Sequence, residues 1–203
     1  MTIYPTLLGE QFEKLHPKLQ QRYALPINKP FCAYGVMHTI KAGTKLLRPF
    51  YYLASKSRFL FPESGQHIPF KITNSNHMNN KGEMEVYWER VFYFPNATRY
   101  FNAKMTIDTK KQIVKDYLGD PSFFYSDLHF DVTSTGHLLI RSGKQKLVCG
   151  ALEVPMPSML EGRVIVEEGY DDEKGVFTIH VSIYNDIFGR MMMYAGEFSE
   201  SIS

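Results

Sequence analysis

Several function classes lose their usual support because their residues are absent. The 203-residue chain has two cysteines, one tryptophan and no apolar run of the 18 or more residues that a membrane-spanning helix needs. Its opening, Met1 to Phe12, carries no basic region followed by an apolar stretch. No signal peptide is therefore expected, and a cytoplasmic location is the default reading. In that compartment Cys32 and Cys149 read as two reduced thiols rather than as a disulfide framework. Neither sign of charge dominates: 23 Lys and Arg against 21 Asp and Glu leave a net charge of +2, too little to mark a nucleic-acid surface. The chain contains no Gly-x-Ser-x-Gly elbow, no P-loop, no Gly-x-Gly-x-x-Gly and no His-Glu-x-x-His. Nucleophilic hydrolase, NTPase, dinucleotide-binding and zinc-protease chemistries thus lack their signatures. No cofactor and no metal site is expected, and no residue set stands out as catalytic. There is no internal repeat, low-complexity tract or long linker, so residues 1–203 are expected to form a single domain.

What the chain has in quantity is aromatic residues, 13 Tyr and 15 Phe, and periodic apolar patterns. Leu7, Leu8, Phe12, Leu15, Leu19 and Tyr23 recur at helical spacing over 6–23, with a break expected after His16 because Pro17 follows. Residues 31–41 read as a strand with Cys32, Tyr34, Val36, His38 and Ile40 on one face. A second helix is predicted over 44–60. Pro49 conflicts with a start at Thr44 and favours one nearer Arg48. From residue 67 the pattern becomes strands and short turns, with strands near 67–74, 83–94, 98–107, 111–118, 123–133, 137–142, 145–153, 162–169, 175–185 and 190–198. Connections this short join antiparallel neighbours. About ten successive antiparallel strands curl rather than lie flat, because flat sheets leave edges exposed. The expected fold is mainly β: an antiparallel up-and-down barrel, or a strongly curved half-barrel, over 66–203. The N-terminal part, 1–65, contributes helices packed on it and one strand.

One strand contains a conflict. Over 83–94, period-two alternation places Met84, Val86, Trp88, Arg90, Phe92 and Phe94 on one face and Glu83, Glu85, Tyr87, Glu89, Val91 and Tyr93 on the other. Arg90 is therefore a charge on a core face, beside the only tryptophan. Such a charge is tolerated when it is paired or when it faces a ligand-filled cavity. The guanidinium suits a carboxylate or phosphate head group, with Trp88, Phe92 and Met84 as walls. Arg99, in phase with Phe101 and Met105, is a candidate second inward arginine. Asp127, His129 and Asp131 have a spacing that metal sites use, but Leu128, Phe130 and Val132 form the cleaner core face and push the trio outward. His180 likewise alternates with Ile179 and Val181 on the polar side, and His16 ends a helix. Val154-Pro155-Met156-Pro157 reads as a stiff connection or rim loop, and Met191-Met192-Met193 as adaptable apolar filler. The helix over 44–60 carries Lys45, Arg48, Lys56 and Arg58 beside leucines and aromatics. That is a pattern for scaffold helices and also for membrane-surface ones.

The order of several short pieces resembles the domain-of-unknown-function 4166 family. These are Tyr4 to Gly9 and Phe12 to Pro17, Glu85 to Phe92, Cys149 to Pro157, Glu161-Gly162, and Ile187 to Phe198. Trp88-x-Arg90-x-Phe92 and Gly189-Arg190…Tyr194-x-Gly196-x-Phe198 are the most distinctive. The resemblance implies no established activity and transfers no catalytic residue. Relatives joined to reductase-like nucleotide-binding domains imply a small-molecule or lipid-handling context. The function expected is non-catalytic binding of an apolar small molecule or lipid with an acidic head group. The alternatives are an isomerase- or cyclase-like enzyme on such a ligand, and an interaction module with a packed interior.

Overall fold

A computed structural model describes residues 2–24, 26, 27, 29–80 and 82–201. The chain begins with a helix α1 (Ile3–Leu8), a 3₁₀ turn Gly9–Lys14 and a helix α2 (Pro17–Tyr23). Pro17 starts α2, where a missing N–H costs nothing, and His16 caps it by accepting from Lys18 N at 3.2 Å. Strand β1 (Phe31–Ala42) follows, then helix α3 (Arg48–Lys56), which starts where Pro49 fits its first turn.

Eleven further strands complete the chain. They are β2 (Gly65–Met78), β3 (Met84–Phe94), β4 (Ala97–Tyr100), β5 (Ala103–Asp108), β6 (Ile113–Gly119) and β7 (Ser122–Val132), then β8 (Leu138–Cys149), β9 (Leu152–Pro155), β10 (Arg163–Asp171), β11 (Val176–Asn185) and β12 (Gly189–Glu200). All pairings are antiparallel, and ten of these strands close a barrel in the order β1-β2-β3-β5-β6-β7-β8-β10-β11-β12. Two contacts achieve closure. β1 pairs with β12 at one seam, and β8 pairs with β10 from Leu138↔Glu168 to Arg141↔Ile165 at the other. Closure removes the free edges that an open sheet of this length would expose. β4 continues the edge of β3 that β5 pairs with, and β9 continues the edge of β8 that β10 pairs with.

Alternation sets which side chains fill the interior. Phe177, Ile179, Val181 and Ile183 of β11 are buried, as are Met192, Tyr194 and Phe198 of β12. In β1 the buried set is Phe31, Ala33, Met37 and Ile40; the expected single face of Cys32, Tyr34, Val36, His38 and Ile40 breaks at a bulge between Met37 and Thr39. Cys32 and Cys149 are both free thiols. Two other expected boundaries move for identifiable reasons. The predicted turn at Ser142-Gly143 is a bulge inside one long β8. Ser142 Oγ accepts from Val164 N at 2.8 Å, and the Gln145 amide brackets Gly162, so side chains replace ladder bonds there. The predicted strand 98–107 splits into β4 and β5 at Phe101-Asn102, because the Phe101 carbonyl is taken by the Arg90 side chain, Nε to O 2.8 Å.

The N-terminal helices plug one end of the barrel, with Tyr4, Leu19 and Tyr23 fully buried. They bring a charge with them. Arg22 of α2 forms an ion pair with Glu168 of β10, both side chains wholly out of solvent, and Tyr23 donates its hydroxyl to the same carboxylate. The rings of Phe31, Trp88, Phe177 and Phe198 surround the guanidinium, with centroids 4.9–5.6 Å from Cζ. A buried charge left without its partner is far costlier than the pair is favourable. Arg22→Met is therefore expected to lower unfolding free energy in urea by about 3–5 kcal/mol. Arg22→Met with Glu168→Leu should recover a clear part of that loss. Additive losses in the double variant would contradict this coupling.

Candidate functional site

Above the plug the barrel is not filled. A cavity of about 420 Å³ lies between the N-terminal plug and α3, within the range of small-molecule sites. Its walls are apolar, with Leu118, Phe124, Leu128, Ile140, Val166 and Val181 among them, and Leu47 and Phe50 line it from the α3 end. Trp88, Arg90, Met105 and Asp116 line it too, at the depth of the plug: Trp88 Nε1 donates to Tyr4 Oη of α1 at 2.8 Å.

Arg90 points inward, as the alternation of β3 requires, and is 6% exposed. Its Nε donates to the Phe101 carbonyl at 2.8 Å and its Nη1 to the Tyr194 hydroxyl at 3.1 Å. The guanidinium lies over Phe101, 4.2 Å from the ring centroid, and 5.5 Å from that of Trp88. Nη2 makes no hydrogen bond among the described residues and belongs to a side chain that lines the cavity.

Asp116 of β6 is the second charge of the site. It sits between Met105 and Ser126 across its two neighbouring strands. Its Oδ1 has no hydrogen-bond partner among the described residues. Burial pushes its pKa up to about 7; the positive charge of Arg90 opposes this and offsets only part. The cavity thus has apolar walls and, deep inside, one permanent cation and one carboxyl that changes charge near neutral pH. Burial also raises the Tyr194 hydroxyl, with Arg90 acting in the opposite direction.

The residues singled out from the sequence are distributed unevenly. Arg90 and Trp88 line the cavity together. Phe92 is buried behind them, its ring centroid 5.4 Å from Tyr194 and 5.1 Å from both Phe61 and Phe70, and does not reach the lining. Met84 packs against the core at the far end of β3, away from the cavity. Arg99 sits on β4 opposite Phe92, in a two-pronged ion pair with Glu63 at 2.8 and 2.5 Å, and does not line the cavity. Asp127 accepts from Tyr125 at 2.5 Å, Asp131 pairs with Arg141 at 2.7 Å, and His129 and His180 are exposed. Among the described residues no group of three or more His, Cys, Asp and Glu could hold a metal. Met156 and Pro157 of the stiff segment after β8 line the cavity, as does Met191. Asp116 went unnoticed in the sequence, although the signal was the one that exposed Arg90: Val114, Asp116 and Leu118 share a strand face. Glu168, in phase with Val164 and Val166, carries the same mark.

Fold and site together define an antiparallel β-barrel protein with one end plugged by helices and an internal apolar cavity carrying two buried charges. The chain belongs to a family described as a domain of unknown function, DUF4166, whose model matches residues 15–198. It is similar to the uncharacterized protein YndH of Bacillus subtilis (strain 168), 36% identical over 189 residues that cover 93% of this chain and 92% of the relative. No solved structure matches. No helix among the described residues is long and apolar enough to cross a membrane.

Asp116 makes stability depend on pH. Its folded pKa, about 7, lies above the ordinary 3.8, so the folded state holds the proton more tightly than the unfolded chain does. That contribution is complete below about pH 4 and is lost as pH rises through 7. The loss is roughly 4 kcal/mol at about 1.4 kcal/mol per pKa unit. Asp116→Asn should therefore gain stability relative to the parent between pH 4 and pH 8 in urea titrations. Parallel pH profiles for the two proteins would contradict the buried-carboxyl account.

Proposed function

We propose that the protein binds and carries, without chemical conversion, an amphipathic small molecule or lipid with an acidic head group. The observation that carries this reading is the cavity itself, mostly apolar, with Arg90 and Asp116 as its charged residues and Ser126 and Gln145 as further polar lining. An alkyl chain along the walls gains about 0.8 kcal/mol per methylene removed from water. A carboxylate head meets the free Nη2 of Arg90, and a protonated Asp116 donates a further hydrogen bond to it. An ionised Asp116 repels it. Ligand uptake is thereby linked to proton uptake at Asp116.

A second reading draws support from Asp116. A carboxyl with a pKa of about 7 facing a cavity beside a cation is suited to proton transfer, as an isomerase or cyclase requires. In that reading Arg90 polarises a carbonyl and Asp116 moves the proton. Recovery of the bound molecule unchanged after long incubation separates carriage from conversion.

Trp88 is the only tryptophan and lines the cavity, so its emission reports occupancy directly. Titration with saturated fatty acids of increasing length should show Kd falling about fourfold per added methylene until the tail outgrows the cavity. Arg90→Ala should weaken binding by about tenfold or more, the range for losing a hydrogen bond to a charged group. Affinity should also decline as pH rises above 7. Equal, negligible responses from the parent and Arg90→Ala would retire the proposal.

A further inference from the structure

The barrel end opposite the plug has an unusual surface. Helix α3 closes that end: Leu47 and Phe50 reach into the cavity, and the Tyr51 hydroxyl accepts from Gly43 N at 3.0 Å and donates to the Met191 carbonyl of β12. The outward side of the same segment is not polar. Leu46 is 75% exposed, Leu53 67% and Tyr52 63%. Met159, Leu160 and Ile187 are also exposed, on the 3₁₀ turn Ser158–Leu160 and the β11–β12 turn, and Leu160 lines the same cavity as Leu47 and Phe50. Asn185 holds these two turns together by donating to the Met159 carbonyl at 3.0 Å and the Glu161 carbonyl at 2.9 Å. Leucines this exposed, Leu46 in the turn before α3 and Leu53 on it, lack a folded-state role of their own, and a group of exposed apolar side chains at one end of a barrel marks a site of association.

The charges of the α3 segment itself have one sign. Residues 41–62 contain Lys41, Lys45, Arg48, Lys56 and Arg58 and no Asp or Glu. Four acids at this end are engaged with cations, Glu63 with Arg99, Asp120 with Arg58 and Lys104, Glu153 with Lys146, and Asp186 with Arg163, while Glu161 accepts from Gln145 N. Lys45 and Arg48 are exposed and form no ion pair among the described residues. A helix that presents leucine and tyrosine to solvent and is flanked by unpaired cations has the composition that lies in the headgroup region of an anionic bilayer.

We infer that the α3 end of the barrel docks on anionic lipid bilayers, with Leu46 and Leu53 inserted among the acyl chains and Lys45 and Arg48 on the phosphates. The placement also explains why the apolar surface surrounds the cavity: a ligand that passes α3 moves between membrane and barrel without crossing water. This exchange role rests on the carrier reading above; the docking does not. Binding is carried by apolar insertion and headgroup charge together, so it weakens as salt screens the charges.

Flotation of the full chain with phosphatidylcholine vesicles, and with vesicles of equal parts phosphatidylcholine and phosphatidylglycerol, tests the docking. The protein should float with the anionic vesicles and much less with the neutral ones. Leu46→Ser with Leu53→Ser should reduce the anionic partition coefficient by tenfold or more, and Lys45→Glu with Arg48→Glu by a similar factor. These four residues are exposed, so the variants should fold and still bind dodecanoate in solution, as read by Trp88 emission. No flotation of the parent, or undiminished flotation of both variants, overturns the docking. Flotation as expected without any fatty-acid response from Trp88 overturns the carrier reading and leaves the docking standing.

Discussion

The structure depends on how two arginines are held inside an apolar barrel. Trp88 stands between them, its ring 5.4 Å from the guanidinium carbon of Arg22 and 5.5 Å from that of Arg90. Below it, Arg22 is neutralised by Glu168 in direct contact, and that pair joins the N-terminal plug to the barrel wall. Above it, Arg90 donates to a carbonyl and a hydroxyl and keeps Nη2 free, while Oδ1 of the nearby Asp116 has no partner among the described residues. A closed pair in direct contact and wholly out of solvent is a structural element. A cation and a carboxyl raised by burial, facing a void, form the site proposed to hold a ligand. The same kinds of residue, a few ångströms apart, thus take different roles because one environment is packed and the other is open.

The plug and the cavity depend on each other. Tyr4 accepts from the Trp88 indole and so fixes the tryptophan that forms the inner end of the cavity. Arg90 takes the Phe101 carbonyl, and β4 ends there; the chain resumes as β5 along the same edge of β3. The polar groups of the site thereby shape the strands around it. At the opposite end α3 serves both sides, its inner residues completing the apolar wall and its outer residues left exposed. A barrel of ten strands has room for such a division, since its interior is wider than side chains alone fill.

Much of this was legible from spacing. The antiparallel meander, the helical N-terminus broken at Pro17, the start of α3 near Arg48 and the inward direction of Arg90 all follow from local rules with few competitors. The closure of the sheet was legible only as one of two outcomes. The seams, β1 with β12 and β8 with β10, join residues far apart in sequence, and no local pattern encodes them. The boundaries that moved did so where a side chain replaced a backbone bond, as Ser142 and Gln145 do in β8. Phe92 and Met84 share the strand face of Arg90, but facing inward does not place a residue at the void: Phe92 is enclosed by other rings and Met84 lies too far down the barrel. Arg99 was in phase with an inward face, and it does stand opposite Phe92, but it sits near the turn of the β3–β4 hairpin, where Glu63 claims it.

The central claim is that Arg90 and Asp116 face a space that an acidic amphiphile occupies. Dodecanoate with an isotopically labelled carboxyl carbon, followed by NMR in the presence of the protein, tests it most directly. A bound carboxyl resonance distinct from the free one, perturbed by titration through pH 7 and absent with Arg90→Ala, is the predicted result. A spectrum that contains only the free resonance at every pH would contradict the account.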